Sequence, residues 1–403
     1  MNDECIREAL ARFATPFYLF DEAELNSQVR HVAALLPNRV QLCYAMKANP
    51  FVLPWASRAV GPVEVCSEGE YRICQAVGVP DEQVVITGVV KDEDFVRHLV
   101  RNHPRIARYT AESPRQFDMI ERAAAEGGAE VPVMLRLTSG NQFGMDRAEV
   151  MGLIGRMAAG GHARFAGVQY FSGTQKASND KHRRELKRLD RLIAAIREEW
   201  GVELPELEYG GGLPVEYFGE DRDAARAAED AVVEGLGRLV DAMDYQGPIT
   251  MELGRALAAS CGTYVTRVVD AKVNKGSNIA LVDGGMHQIV YFGHAMALHR
   301  PLCHALTADG RSIGPGDGEP EHLWSIYGSL CTANDVLAKQ LPLEGLDVGD
   351  VIVFEKAGAY CMTEGMSLFL SRDLPRVVLR GADGELRLAR DRVETFDLNT
   401  PAH

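Results

Sequence analysis

Features that mark several other classes of protein are missing from this sequence. No apolar run approaches the length of a bilayer span, so we predict no membrane-embedded segment. The eight cysteines are scattered and form no C-x-x-C pair, so we predict neither a zinc site nor a redox motif. The first residues, Met1 to Glu4, are acidic and show no signal-peptide pattern, so we expect a cytoplasmic protein.

Histidines and cysteines also offer no compact set of metal ligands. The spacing of four histidines fits no metal site, and we interpret them as surface or substrate-loop residues: His287, His294, His299 and His304. Three cysteines lie in apolar stretches and are predicted to be inert core residues: Cys43, Cys66 and Cys74. We therefore predict no bound metal.

Basic residues are outnumbered by acidic residues. The chain has 43 Lys and Arg residues against 57 Asp and Glu residues, a formal net charge of −14. This excess of negative charge argues against nucleic acid or an anionic membrane as a partner. A chain of 403 residues is too long for one ordinary core, so we expect two domains.

Most of the chain alternates between strand and helix patterns. The clearest helix pattern runs from Asn179 to Trp200, with leucines and isoleucines on one face. The strand candidates are 41–44, 63–66, 84–86, 108–111, 133–137, 165–171, 206–209 and 248–252. Eight strands that alternate with helices predict an α/β fold, a (β/α)8 TIM-like barrel over residues 21–265. From about residue 262 onward, short strand-like runs punctuated by Gly and Asp predict a β-sandwich or barrel domain.

Lys47 stands at the end of the first barrel strand, just before the turn at Asn49-Pro50. Burial at such a place lowers the pKa of a lysine and makes its amine a nucleophile suited to imine formation with an aldehyde. The alternative is an ordinary surface lysine at a strand end.

Other polar or glycine-rich features also follow predicted strands, where a (β/α)8 barrel places its chemistry. Gly210-Gly211-Gly212 lets backbone amides approach a phosphate closely, although a flexible loop has the same composition. Ser172-Gly173-Thr174 offers a second phosphate donor or an ST-turn. Glu252 and Arg255 either form a salt bridge or divide two tasks, the carboxylate holding a pyridine nitrogen protonated and the guanidinium binding an anion.

A lysine, a phosphate loop and a carboxylate for a pyridinium together describe a pyridoxal 5'-phosphate site. Nearly end to end, the sequence resembles the fold type III (alanine racemase-like) enzymes, and within them the diaminopimelate, ornithine and arginine decarboxylases. The resemblance rests on these segments: Tyr44–Asn49, Glu64–Glu70, Gln142–Met145, Gly210–Gly212, Glu252–Arg255, Gly328–Asp335 and Gly358–Tyr360. It implies an amino acid carboxy-lyase.

The resemblance also implies a role for each matched residue. Lys47 would carry the cofactor as a Schiff base, Glu252 would bind the ring nitrogen, and Cys331 would act as general acid after CO₂ leaves. The remaining cofactor contacts would come from Phe171, Thr174, Gly210, Gly211, Gly212, Arg255 and Tyr360. Residues 1–20 would complete the C-terminal β domain (266–403), and Cys331 and Tyr360 would reach the partner's Lys47 in a homodimer.

The substrate pocket departs from the family pattern. Thr332 follows Cys331 where an acidic residue is usual, and no Arg-Pro follows shortly after Asp283–Met286. Phe171 replaces a ring-stacking histidine, and Cys361 replaces a glycine. These departures disfavour meso-diaminopimelate and favour another or derivatised amino acid, including a carrier-tethered one. The candidate substrate residues are Arg255, Thr332, Asp335 and Glu364.

Three functions compete at this point. An amino acid decarboxylase similar to diaminopimelate decarboxylase is the leading hypothesis. A racemase on the same fold is disfavoured by Glu252, because such racemases set an arginine against the ring nitrogen. A non-catalytic homologue would be expected to lose Lys47 or Cys331, and both are present.

Overall fold

The computed structural model describes residues 1–219, 221–291 and 295–401, and it divides the chain into two compact units. One unit comprises Met1–Gln28, Glu216–Arg226 and Ala258–His403, and the other comprises Val29–Val215 and Ala227–Leu257. The predicted domain ranges, 21–265 and 1–20 with 266–403, differ from these units at their ends and over 216–226.

The chain begins with helix α1 (Asp3–Arg12) and strand β1 (Phe17–Asp21), and a closed parallel barrel follows. Its strands are β2 (Val40–Ala45), β3 (Val63–Val65), β4 (Val84–Ile86), β5 (Arg108–Ala111), β6 (Val131–Leu137), β7 (Ala163–Phe171), β8 (Leu207–Gly210) and β9 (Ile249–Leu253). Strand β9 pairs with β2 and closes the barrel. The predicted (β/α)8 barrel is confirmed.

Helices connect the barrel strands and flank the first and last of them. They are α2 (Glu22–Ala34), α3 (Leu53–Val60), α4 (Glu68–Val77), α5 (Glu93–Asn102), α6 (Pro114–Gly127), α7 (Arg147–Ala158), α8 (Asn179–Trp200), α9 (Arg222–Asp241) and α10 (Arg255–Ala258). Side-chain caps define several starts: Ser67, Asp92 and Asp146 each accept a hydrogen bond from a backbone amide of the first turn. Helix α8 has the bounds that its apolar periodicity predicts.

The other unit is built on a ten-stranded mixed sheet. Besides β1, its strands are β10 (Gly262–Asn274), β11 (Ser277–Val282), β12 (Cys303–Leu306), β13 (Ser312–Ile313), β14 (Leu323–Tyr327), β15 (Val336–Pro342), β16 (Val351–Phe354), β17 (Arg376–Arg380) and β18 (Leu386–Arg390). The long strand β10 pairs first with β16 and then, from Val268 onward, with β11. An irregularity in the β10–β11 pairing lies between Val268 and Asp270. The predicted β domain is confirmed.

Strand β1 lies inside this sheet. It pairs antiparallel with β10 and parallel with β17, and all five of its residues are buried. Ile6 and Ala9 of α1 pack onto the same core as Phe17 and Leu19. The N-terminal segment therefore completes the β domain, as the family resemblance implied. Within the described part of the chain, no helix is long and apolar enough to cross a membrane.

Candidate active site

Lys47 lies on a tight turn at the end of β2. Residues Met46–Ala48 form a single 3-10 turn, and the Asn49 side chain accepts a hydrogen bond from the Phe51 amide at 3.0 Å. The predicted burial of Lys47 is wrong, because 43% of its side chain is exposed. The turn carries the residue off the strand, so its side chain is accessible.

A buried carboxylate on β3 holds the Lys47 amine. Lys47 Nζ donates to Glu64 Oε2 at 2.6 Å, and Thr87 Oγ1 donates to Glu64 Oε1 at 2.8 Å. Burial acts to raise the pKa of Glu64, but Lys47 and these hydrogen bonds outweigh it and lower the pKa below its usual range. Glu64 is therefore ionised, and it is a site residue whose motif was recognised in the sequence without a role.

Cys66 is not fully buried as its apolar neighbours suggested, although the raised pKa of its thiol agrees with the predicted inertness. It is only partly buried, its Sγ lies 3.5 Å from Lys47 Nζ, and it donates to Glu64 Oε1 at 3.1 Å. Burial and the nearby Glu64 raise the pKa of the Cys66 thiol to about 12, so it stays protonated at neutral pH.

Glu252 on β9 is the second carboxylate of the site. Burial and the charge of Glu64, which shares a hydrogen bond with it, raise the pKa of Glu252 well above its usual range. The Gln169 side-chain amide donates to Glu252 Oε2 at 3.2 Å. Two acidic groups in contact thus divide their tasks, since Glu64 carries the charge and Glu252 carries the proton.

The glycine loop after β8 is packed too tightly for side chains. A Cβ on Gly210 would lie 2.3 Å from Cδ2 of Phe171, so the Phe171 ring rests directly on this glycine. Gly212 has φ +62°, and a Cβ there would lie 2.2 Å from the Gly173 carbonyl oxygen. The predicted phosphate loops, 172–174 and 210–212, therefore contact each other. Thr174, the last residue of the first loop, is exposed.

A buried polar network that was not predicted from the sequence underlies the two loops. Lys176 donates from its amide to the Gly212 carbonyl at 2.9 Å and from Nζ to Glu185 Oε2 at 2.9 Å. Tyr209 donates to the same carboxylate at 2.6 Å. His182 donates from Nε2 to the Gly211 carbonyl at 2.8 Å. These contacts tie the glycine loop to α8.

Two arginines lie at the carboxyl ends of barrel strands, as the other site residues of the barrel do. Arg255 is the first residue of α10 and is only 7% exposed. Arg136 of β6 forms a buried ion pair with Glu112, whose other oxygen accepts a hydrogen bond from the Gly144 amide at 2.9 Å. This second ion pair braces the Gln142–Met145 segment, which the sequence analysis matched to a family motif without assigning Arg136.

The remaining candidate residues lie in the sheet unit. Cys331 is exposed on the loop after β14, and Thr332 is partly buried beside it. Asp335 is 1% exposed and accepts hydrogen bonds from the Met286 amide at 2.7 Å and the Leu330 amide at 2.8 Å. Asp335 thereby links the loop that carries Cys331 to the turn at 284–288.

Tyr360 and Glu364 share one turn of this unit. Tyr360 has φ +64°, and its carbonyl accepts the Glu364 amide at 3.0 Å. The Glu364 side chain is exposed. Of the histidines considered as ligands, His294 lies outside the described residues, and the described ones contain no group of three or more His, Cys, Asp or Glu placed to hold a metal.

Comparison with known families finds one match that spans most of the barrel. The family model "Pyridoxal-dependent decarboxylase, pyridoxal binding domain" matches residues 22–259. The matched range contains Lys47, Glu64, the glycine loop and Glu252.

Curated relatives and solved structures extend the likeness over the whole chain. A diaminopimelate decarboxylase of Pseudomonas aeruginosa is 29% identical over 87% of this chain and 84% of its own. An "L-glutamyl-[BtrI acyl-carrier protein] decarboxylase" of Niallia circulans is 27% identical over 96% of this chain and 93% of its own. The crystal structure of diaminopimelate decarboxylase from Helicobacter pylori with L-lysine has a TM-score of 0.80 at 22% identity, covering 98% of each chain.

Proposed function

The chain belongs to the pyridoxal-dependent decarboxylases and is an amino acid carboxy-lyase, and on this premise we propose that Lys47 holds pyridoxal 5'-phosphate for the decarboxylation of a derivatised amino acid. The observation that carries the cofactor assignment is the grouping of an accessible amine with a protonated buried carboxylate, Lys47 with Glu252, bridged by Glu64. A Schiff-base lysine and an acid for a ring nitrogen are what this cofactor requires.

The phosphate loops fit such a group. Gly210 and Gly212 have no room for a Cβ, so their backbone can face a ligand without side chains in between. We assign the phosphate to Gly210–Gly212, Thr174 and Arg255, with Tyr360 completing the site. The Phe171 ring, seated on Gly210, would pack against the cofactor ring.

When bound, the cofactor supplies an electron sink for the electron pair that the departing carboxylate leaves behind. Glu252 contributes a proton at its carboxyl oxygen for the ring nitrogen. Cys331 contributes the general acid that protonates the substrate carbon, which suits an exposed thiol on a loop.

We also infer a cytoplasmic homodimer in which Cys331 and Tyr360 serve the partner's Lys47. The sheet unit supports an association surface, because it exposes a run of large apolar side chains: Met366, Leu368, Phe369 and Leu370, which are 41–49% exposed. Such a run on a globular unit is typical of a protein interface.

The substrate assignment is carried by Thr332. A threonine next to Cys331 has no charge for a distal ammonium, and Asp335 is occupied by two backbone amides. Glu364 is the exposed carboxylate nearest in sequence to Tyr360, and we assign to it any contact with a distal cation. The Niallia circulans relative, whose name gives an L-glutamyl group on a carrier protein, supports an amino acid substrate that is attached to a carrier. The Pseudomonas aeruginosa relative makes free meso-diaminopimelate the second candidate.

The test is a measurement of CO₂ release from a substrate panel by the cofactor-loaded enzyme. The panel holds meso-diaminopimelate, ornithine, lysine and glutamate, their D-forms, and glutamyl thioesters of a carrier protein and of pantetheine. We expect the thioesters to give the highest kcat/KM, and Lys47→Ala to release no CO₂ from any of them. A kcat/KM for meso-diaminopimelate above that of every derivative would overturn the substrate assignment. The same panel run on Glu364→Gln tests that residue, whose assignment fails if the profile and KM values stay unchanged.

A further inference from the structure

The interior of the barrel is polar where such barrels are usually aliphatic. Inward-facing positions of a (β/α)8 barrel are dominated by Val, Ile and Leu. Here a continuous line of polar side chains runs through the interior, from the start of β5 to the end of β2: Arg108, Glu208, Gln169, Glu252, Glu64 and Lys47. The first three of these have no place in the function proposed above.

At the end of this line that is farthest from Lys47, an arginine pairs with a buried carboxylate. Arg108 donates from Nε and Nη2 to Glu208 Oε2 at 3.0 and 2.9 Å, and Glu208 is fully buried. Arg108 also contacts Glu206, which is 23% exposed and accepts a hydrogen bond from Thr250. Burial opposes the charge of Arg108, but Glu208 and Glu206 outweigh it and raise the pKa of Arg108. Burial also raises the pKa of Glu208, against the lowering effect of Arg108. The two hydrogen bonds from the guanidinium to one Glu208 oxygen are the geometry of a charged pair, so we assign Arg108 and Glu208 as a buried ion pair.

Gln169 joins the two halves of the line. Its side-chain nitrogen donates to Glu208 Oε1 at 3.0 Å and to Glu252 Oε2 at 3.2 Å, so both amide hydrogens are used. Gln169 and Glu208 are register partners on β7 and β8, and this places them side by side. A neutral side chain with two donors can hold two carboxylates together without adding charge.

Two of the three carboxylates in this line pair with a cation. Lys47 pairs with Glu64, and Arg108 pairs with Glu208. Glu252 forms no ion pair with any residue that the structure describes, and it contacts the ionised Glu64. A third buried negative charge, on Glu252 beside Glu64, would be strongly unfavourable, so the cluster retains a proton.

We propose that Glu208, kept ionised by Arg108, is a positioning residue that holds this proton on Glu252 before any cofactor binds, and that Gln169 orients the carboxyl group. The proposal rests on the proposed function, in which Glu252 serves the ring nitrogen. Glu252 then meets that nitrogen with its proton in place. The ionisable groups that act on Glu252 from the surrounding strands are Cys43, Lys47, Glu64 and Glu208, and Arg108 contacts Glu208. Glu208 acts by its negative charge, and Gln169 fixes the carboxyl group in place by donating to one of its oxygens.

The protonation of Glu252 can be read directly from infrared spectra of the full-length chain after removal of the cofactor. The carbonyl stretch of a protonated carboxyl, isolated as the difference between wild type and Glu252→Gln, is followed as a function of pH. We expect this band to persist through neutral pH. Glu208→Gln removes a negative neighbour of Glu252 and leaves Arg108 with Glu206 as its carboxylate partner, so it should move the midpoint down by about one pH unit or more. Gln169→Leu removes a donor to the carboxylate form and should move the midpoint up.

The matched control is Glu206→Gln, which also removes a carboxylate partner of Arg108 but has no contact with Gln169 among the hydrogen bonds described. It should leave the midpoint within a few tenths of a pH unit. Equal shifts in the 206 and 208 variants, or no wild-type band at neutral pH, would overturn the proposal. If Glu208→Gln does not fold, the double variant Arg108→Gln/Glu208→Gln, which removes both members of the buried ion pair, should still move the midpoint down, and an unchanged midpoint would overturn the proposal. Because the band needs no cofactor, its result is independent of whether wild-type enzyme releases CO₂.

Discussion

Lys47 and Glu64 form a 2.6 Å ion pair in which the lysine side chain is 43% exposed and the glutamate side chain is 5% exposed. The buried partner depends on the exposed one for its charge. Removal of Lys47 therefore leaves a carboxylate inside the barrel without a cation, while removal of both partners leaves no charge to bury.

This asymmetry predicts a coupling between the two positions. Lys47→Ala should lower the free energy of unfolding by about 1–3 kcal/mol, and most of that loss should be recovered in the double variant with Glu64→Gln. Urea unfolding of the four proteins measures the coupling. Lys272→Ala, which breaks an exposed pair with Asp270, is the control and should cost less than about 1 kcal/mol. Additive effects of the two substitutions would contradict the dependence.

The crowding of Gly212 predicts a specific loss of cofactor affinity. Gly212→Ala places a Cβ 2.2 Å from the Gly173 carbonyl, so the two phosphate loops must separate. We expect cofactor affinity, measured by absorbance titration, to fall about tenfold or more, equivalent to the loss of one charge-assisted hydrogen bond. Gly201→Ala is the matched control, because Gly201 has φ +63° but no atom within 4 Å of an added Cβ. Equal losses in both variants would assign the effect to backbone strain alone.

A shared active site predicts complementation between two inactive variants. Lys47→Ala and Cys331→Ala should each lack activity, and a mixture of the two after subunit exchange should regain about a quarter of wild-type activity. Half of a random mixture consists of mixed dimers, and each mixed dimer has one intact site of its two. CO₂ release before and after exchange is the measurement. No recovery in a mixture shown by mass to contain mixed dimers would refute sharing.

His287 predicts a loss of stability in mild acid. It is 2% exposed, and burial together with Arg372 lowers its pKa to about 4, from an ordinary value of 6.5. Because the folded value is lower than the unfolded one, its contribution is present above about pH 6.5 and is lost as the pH falls toward 4. Between pH 7 and pH 5 wild type should lose about 2 kcal/mol more unfolding free energy than His287→Gln does. His98→Gln, at an exposed histidine, should follow wild type. Parallel pH curves for wild type and His287→Gln would disprove the effect.

The barrel could be predicted because its local signals agree with its tertiary role. Short apolar runs alternate with amphipathic helices, and the pattern for α8 places both of its ends correctly. The joining of β1 to the C-terminal sheet follows from no local signal, since its partners β10 and β17 are more than 200 residues away. That pairing was expected only through the family resemblance.

The errors and omissions at the site have physical causes. The exposure of Lys47 depends on a 3-10 turn that three residues do not specify by composition. Glu185 and His182 lie on the apolar face of α8, and their polar character there was the available signal. Arg108 and Glu208 are charges inside short strands, and only the register across the barrel brings them to Gln169. Pairwise contacts of this kind are not contained in any single stretch of sequence.

Reduction with borohydride followed by peptide mapping shows which lysine binds the cofactor. Reduction fixes a cofactor permanently to the lysine that holds it, and mass spectrometry of the digested chain then locates the added mass. We expect the label on the peptide that contains Lys47 and no label in Lys47→Ala. A label on Lys91 or Lys176, the other lysines bound near the same ends of the barrel strands, or wild-type enzyme that takes up no label, would contradict it.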